Sequence, residues 1–204
     1  YRCVECFRQV PKCDACMRQS HAHMPFHRVE AWSDSKESWE RTTLAKLGLE
    51  LHLGHGGRGC PIRIAADYRL MTIVHSRGME AVKVGFCYCS FNGPHSEPEP
   101  QQLLRFGLFP GSWKLPMTAF TIAVLEDFKV LHEHSQVTVA AFSRYLKQSA
   151  DQSEPDNVKN RAREFMTTYN EYCEIVSKGQ GGIPCKFLAA LRRSEQECKG
   201  DAQS

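Results

Sequence analysis

Cys3–Val4–Glu5–Cys6, then Cys13–Asp14–Ala15–Cys16, then His21–Ala22–His23–Met24–Pro25–Phe26–His27 open the chain. The two CxxC pairs are separated by six residues, and three histidines follow within the next eleven. A CxxC turn brings two thiols to one side of the backbone, where both can ligate one tetrahedral zinc ion. One such pair is a weak signal, but two pairs with trailing histidines are a specific one. The competing readings are a disulfide-rich secreted module and a redox-active CxxC.

The other cysteines decide between these readings. Of ten cysteines, seven fall in the first 89 residues: Cys3, Cys6, Cys13, Cys16, Cys60, Cys87 and Cys89. They are interleaved with His21, His23, His27, His52, His55 and His75. A disulfide scaffold has no use for histidine, whereas a zinc site does, so the expected setting is reducing: nuclear or cytoplasmic, and not secreted. Cys173, Cys185 and Cys198 are scattered and read as ordinary thiols. Apolar residues make up 42% and charged residues 24% of the chain, which argues against wholesale disorder. The net charge of +3 neither requires nor excludes nucleic acid, because binding needs a local basic face. The longest apolar run, residues 117–125, is closed by Glu126 and Asp127, so no membrane span is expected. No cleavable signal sequence is visible. The first residue is Tyr, so an earlier start is expected.

Outward from the opening stretch, residues 1–32 carry few large apolar side chains (Tyr1, Phe7, Val10, Met24, Phe26 and Trp32). A core that small needs folding energy from a metal. Residues 33–47 read as a polar loop entering a short helix or turn, with Ser33, Asp34 and Ser35 as N-cap candidates. Leu49, Leu51 and Leu53 alternate with Glu50 and His52, the pattern of a half-buried strand that turns His52 away from the leucines. His55 and Cys60 flank a glycine-rich turn and can close on one metal; no Lys–Ser/Thr follows, which excludes a nucleotide loop. Residues 70–75 and 81–86 read as a hairpin turning at Ser76–Arg77–Gly78. It ends in Cys87–Tyr88–Cys89, a CxC that places two thiols at a strand end. The acidic, proline-rich residues 94–100 mark a boundary.

Beyond that boundary the pattern turns helical. Segments are expected over 101–109, 116–134, 137–148 and 157–177, with apolar stripes such as Phe120, Val124, Phe128 and Leu131, and Phe165, Tyr169, Tyr172 and Val176. The expected class is α+β: a small zinc-stabilised N-terminal module with short antiparallel strands, followed by a small helical bundle. The expected division is 1–97 for the cysteine/histidine cluster, 98–178 for the helices and 179–204 for a divergent, flexible tail.

These blocks together resemble a known family, the cysteine cluster of CxC-two type found beside KDZ (Kyakuja–Dileera–Zisupton) transposases and abundant in mushroom-forming fungi. The matching pieces run from Tyr1–Arg2–Cys3, Cys6–Phe7, Cys13, Cys16, His21, Pro25–Phe26–His27 and Trp32 to Leu47–Gly48–Leu49 and Leu53–Gly54–His55–Gly56–Gly57. They continue through Cys60–Pro61, Phe86–Cys87–Tyr88–Cys89, Gln102–Leu103–Leu104 and Phe109–Pro110 to Pro116–Met117–Thr118–Ala119–Phe120–Thr121, and the similarity fades after about residue 178. The resemblance implies zinc as cofactor and, by position, Cys3, Cys6, Cys13, Cys16, His21, His27, His55, Cys60, Cys87 and Cys89 as its ligands. His23 falls outside the family pattern. The family carries a further CxxC just before the equivalent of Tyr1, and a histidine where this chain has Glu80; Glu80 and His75 are the substitute ligands to consider. The family also continues into a transposase catalytic domain, so this chain is expected to be a fragment or a decayed copy.

Three functional readings follow. The first is a non-catalytic zinc module of a KDZ-type transposase that assists DNA binding or assembly, with DNA, the transposase catalytic region or a second copy as partner, and with no membrane and no small-molecule substrate. The second is a protein-interaction module like the cross-braced B-box and ZZ zinc folds, which the opening also resembles. The third is catalysis at an open zinc position, for which Glu80 near Cys87 and Cys89 is the one hint. Strand transfer needs carboxylates holding two metal ions about 4 Å apart. Asp67, Glu80, Glu126 and Asp127 fit surface residues better. Zinc would also consume the thiols that Cys/His nucleophilic catalysis needs.

Overall fold

The computed structural model describes residues 1–62, 66–89, 97–150 and 160–180. The first strand, β1 (Arg2–Cys3), is followed by a short helix α1 (Asp14–Ser20) and then by β2 (Val29–Ser33) and β3 (Ser38–Thr42). The three strands form an antiparallel sheet in the order β1-β2-β3, with Cys3 opposite Val29 and Trp32 opposite Trp39. The polar stretch 33–47, expected as a loop entering a short helix or turn, does end in a turn over residues 44–48, but its first part is a hairpin turn followed by a strand. Trp39 is the reason. Its ring meets that of Trp32 edge-on at 5.5 Å and lies 4.4 Å beneath the Arg2 guanidinium, a cross-strand contact that local polarity does not reveal.

The larger sheet has five strands: β4 (Glu50–His52), β5 (Ala66–His75), β6 (Gly78–Cys87), β7 (Leu108–Pro110) and β8 (Thr118–Thr121), in the order β4-β6-β5-β8-β7. The β5–β6 hairpin falls where alternation placed it. It turns at Gly78, whose φ of +132° and contact with the Ala150 backbone both exclude a side chain. Strands β7 and β8 lie in the half of the chain read as helical. Leu108, Phe109, Ala119 and Phe120 are fully or almost fully buried in this sheet, and runs this short carry no readable period. Helix α2 (Glu99–Arg105) precedes them, and α3 (Ile122–Ser135), α4 (Val139–Ala150) and α5 (Ala162–Gln180) follow. Thr121 caps α3, its hydroxyl oxygen accepting the Val124 N–H at 3.2 Å.

The sheet carries a core on each side. Met71, Ile73, Val82, Val84 and Phe86 pack with Leu53, Leu103 and Leu108, joined by Phe26 and Ala45 from the N-terminal part. Val74, Phe109 and Phe120 pack against Val124, Leu125, Phe128, Phe142, Leu146, Phe165 and Tyr169 from α3–α5. Phe128 is central there, with the Tyr169, Phe142 and Phe165 rings at 4.8, 5.0 and 5.1 Å. Leu125 takes the buried position expected of Leu131, which is 38% exposed. The N-terminal sheet buries only Cys3, Met17, Val29 and Leu44 as a core. Tyr1, Cys6, Leu47 and Leu49 pack against this small core at partial burial. The fold is α+β, with the cysteine/histidine clusters in the strand-rich N-terminal part. Among the described residues, no helix is long and apolar enough to cross a membrane. The expected tail, 181–204, and the segment 151–159 lie outside the described residues.

Candidate metal centres

Pairing of β1 with β2 brings the two ends of residues 1–32 together. Cys3 and Cys6 meet His21, at the C-terminal end of α1, and His27, just before β2. Cys3 Sγ lies 3.6 Å from His27 Nδ1, and Cys6 Sγ lies 3.3 Å from His21 Nε2 and 3.5 Å from His27 Nδ1. A tetrahedron with Zn–S bonds of about 2.3 Å and Zn–N bonds of about 2.0 Å has edges of roughly 3.3–3.8 Å. The three separations match those edges. The other ring nitrogen of His21, Nδ1, sits 3.0 Å from the Met17 carbonyl oxygen, to which it can donate. That bond leaves Nε2 as the bare ligand atom and fixes the ring's orientation. The Cys6 backbone N–H donates to Cys3 Sγ at 3.4 Å, the contact that a CxxC knuckle makes to its first sulfur.

A second cluster forms where the parallel pairing of β4 and β6 puts the ends of both strands side by side, with Leu51 opposite Val84 and His52 opposite Gly85. His55, Cys60, Cys87 and Cys89 converge there, their ligand atoms all within 4.8 Å of one another. His55 Nε2 is 3.3 Å from Cys87 Sγ and 3.2 Å from Cys89 Sγ, and the two sulfurs are 3.2 Å apart. His55 has a φ of +49° inside the glycine-rich turn, a left-handed conformation that aims its ring back at the strand end. Gly54 leaves room for Cys87, since a Cβ there would sit 2.5 Å from the Cys87 Cβ. The buried Gln102 clamps this strand end. It accepts the Cys87 N–H at 2.9 Å and donates to the Cys87 and Glu97 carbonyls at 2.9 and 2.8 Å. The Gln102–Leu103–Leu104 block was read only for its resemblance, and its part in this site has no sequence signal.

Burial pushes the Cys87 thiol up to about 12, with the neighbouring Cys89 and Cys60 thiols adding to the rise. The Cys6 thiol is raised by burial and by Cys3, and burial lowers His21. Three buried thiols, Cys3, Cys87 and Cys89, with imidazoles held at ligand distance are groups that a soft cation converts to a closed shell by displacing the thiol protons. Both donor sets, S₂N₂ and S₃N, are of the kind that hold structural zinc.

The remaining candidates are placed elsewhere. Cys13 and Cys16 are exposed and belong to neither cluster. His23 is exposed. The His52 ring stands edge-on to Tyr68 at 5.8 Å. His75 and Glu80 face one another, away from both clusters.

The family described as the CxC2-like cysteine cluster associated with KDZ transposases matches residues 44–154, more than half of the chain. The chain belongs to this family. No curated protein and no solved structure matches it. The matched stretch contains the whole second cluster of the CxC2-like chain, whereas the first lies N-terminal to it.

Proposed function

We propose that this chain is the zinc-binding module of a KDZ-type transposase, that it is not catalytic by itself, and that it serves DNA handling or transposase assembly in the nucleus. The observation that carries this reading is the convergence of two four-donor Cys/His sets in a member of a transposase-associated family. Zinc at Cys3, Cys6, His21 and His27 holds the β1–β2–β3 sheet closed, and zinc at His55, Cys60, Cys87 and Cys89 ties the glycine-rich turn to the end of β6. With four protein ligands each, both ions are enclosed and structural rather than open to substrate.

Assembly is favoured over direct DNA binding by where the arginines go. Arg2, Arg28, Arg69, Arg105 and Arg161 pair with Glu30, Glu5, Glu99, Glu97 and Glu164. A cation engaged by an internal carboxylate is a poor phosphate contact. Phe7 is 97% and Trp32 49% exposed, which suits a protein partner as the B-box/ZZ-like reading supposes. Titrating the zinc-loaded protein with duplex DNA at two salt concentrations separates the roles. Binding through phosphates gives an affinity that falls steeply with salt. No binding at low salt leaves assembly as the function.

A further inference from the structure

Glu5 stands between the two thiols of the Cys3–Cys6 knuckle, belongs to neither cluster, and has a side chain only 14% exposed. Its carboxylate ties together the segments that carry the ligands. Oε2 accepts the Arg28 backbone N–H at 3.3 Å, and Oε1 accepts the Arg28 Nε–H at 3.1 Å, so Glu5 straps the knuckle to the residue just after His27. The same Oε1 lies 3.1 Å from Nε of Arg77, in the turn between β5 and β6. The residue just before His27 reaches the same place. Phe26 stacks on His75, the last residue of β5, at 4.7 Å and 18°, and packs into the core of the five-stranded sheet. Each arm of the first cluster thus has a ligand's sequence neighbour anchored on one hairpin turn: Glu5 beside Cys6, and Phe26 beside His27. The second cluster lies at the opposite end of that hairpin. Cys87 is at the far end of the ten-residue β6, about 30 Å along an extended strand.

We infer that the β5–β6 turn is the outer support of the first metal centre: Arg77, a positioning residue acting through Glu5, holds the Cys3–Cys6 knuckle and His27 at ligand spacing, and the stacking of Phe26 on His75 is the second anchor. Metal at this centre and docking of the N-terminal sheet on the hairpin are then one linked event. This rests on the zinc reading of that cluster and names residues outside it that regulate it. The physical reason lies in the burial of the carboxylate. A largely buried anion is stable only with its cations and donors in place. Without Arg77, Glu5 keeps a single guanidinium, that of Arg28, and the strap is no longer fixed to a rigid sheet. Ligand atoms that a supporting contact no longer orients bind metal more weakly. Arg77 is itself 54% exposed, so its ion pair adds little to global stability and its removal is felt at the metal centre. The coupling is reciprocal: whatever docking adds to metal affinity, bound metal adds to docking. The second cluster, at the far end of the hairpin, shares none of these contacts.

The test is the zinc affinity of the full chain, measured by competition with a chromophoric chelator, with cobalt spectra assigning each ion to the S₂N₂ or the S₃N site. Arg77→Ala is expected to weaken the first site about three- to tenfold and to leave the second unchanged. Glu5→Ala weakens the first site further, on the order of 10–100-fold. Adding Arg77→Ala to Glu5→Ala changes nothing more, because Arg77 acts through Glu5. An unchanged second site in each variant shows that the chain is folded. Hydrogen exchange reads the reciprocal arm: over residues 74–80 it is slow in the zinc-loaded wild type, faster in Cys6→Ser, and still slow in Cys89→Ser. An Arg77→Ala protein whose first site keeps wild-type affinity, or whose two sites weaken alike, overturns the inference and leaves the two-cluster reading intact. Full additivity of the two substitutions, or exchange over residues 74–80 that ignores Cys6→Ser, overturns it in the same way. A wild type that takes up no zinc sinks both.

Discussion

His75 Nε2 and Glu80 Oε1 face each other 3.7 Å apart, His75 on β5 and Glu80 on β6, beneath the docked N-terminal part of the molecule. Phe26 stacks on the imidazole at 4.7 Å. The Arg77 backbone N–H donates to His75 Nδ1 at 3.3 Å, which places the ring proton of a neutral imidazole on Nε2. His75 Nε2 and Glu80 Oε2 are buried with no hydrogen-bond partner among the described residues. Two positions open to reading as substitute metal ligands are thus a buried proton-holding pair.

The pair predicts an unusual pH profile. Burial, helped by Arg41 and Arg77, lowers His75 from 6.5 to about 4. Burial raises Glu80 from 4.5 to about 7, with Glu5 adding and Arg41 and Lys46 opposing. Between pH 4 and 6.5 the unfolded chain binds the His75 proton and the folded one does not, so this group makes stability rise with pH. Between pH 4.5 and 7 the folded chain keeps the Glu80 proton and the unfolded one loses it, so that group makes stability fall. The two largely cancel in the wild type. In Glu80→Gln the falling arm is gone, and the variant should gain on the wild type by about 2–3 kcal/mol from pH 4.5 to 7. Urea denaturation of both zinc-loaded proteins across this range measures the difference. A gap that does not change with pH contradicts the assignment.

Gly54→Ala is expected to damage the second cluster alone. The added Cβ meets the Cys87 Cβ at 2.5 Å and its sulfur at 3.2 Å, so the ligand side chain itself has to shift. The variant should lose one zinc ion per chain and keep the other, as counted by native mass spectrometry. Loss of neither ion, or of both, counts against the geometry of this site.

Gln102→Ala probes the support behind that cluster. It leaves the Cys87 N–H and two carbonyls without their side-chain partner in a buried setting, at a cost of about 2–3 kcal/mol. Loss of such support lowers metal affinity on the order of 10–100-fold. Competition with a chromophoric chelator should show one weakened site and one unchanged site.

Gly78→Ala is the control for stability without metal loss. Its Cβ would stand 2.7 Å from the Ala150 Cα and 2.8 Å from the Ala150 N, at a φ of +132° that other residues rarely adopt. Overpacking and backbone strain together should cost about 2–4 kcal/mol, seen as a lower urea midpoint with zinc content unchanged.

Much of the site could be read from spacing, and its assembly could not. Cys3/Cys6, His55/Cys60 and Cys87/Cys89 are local pairs, and local pairs show in a sequence. Which pair meets which depends on strand pairing across long separations. Cys3 reaches His27 because β1 lies on β2, and His55 reaches Cys87 because β4 runs parallel to β6. The same limit explains Cys13 and Cys16. Their spacing equals that of Cys3 and Cys6, but α1 carries them to the surface. In the fold, the β5–β6 hairpin and two helical stripes, Val124 with Phe128 on α3 and Phe165 with Tyr169 on α5, were legible from their period. Strands β3, β7 and β8 were not, being three to five residues long and held by partners distant in the chain.

The central claim is that eight side chains make two separate closed zinc sites. Native mass spectrometry of zinc-loaded Cys13→Ser/Cys16→Ser protein tests it most directly, with Cys6→Ser or Cys89→Ser added singly. The account predicts two zinc ions per chain in the parent and one in each derivative, the survivor being the S₃N site in the first and the S₂N₂ site in the second, as cobalt substitution spectra distinguish. A metal-free, disulfide-bonded parent, or derivatives that both keep two ions, would contradict it.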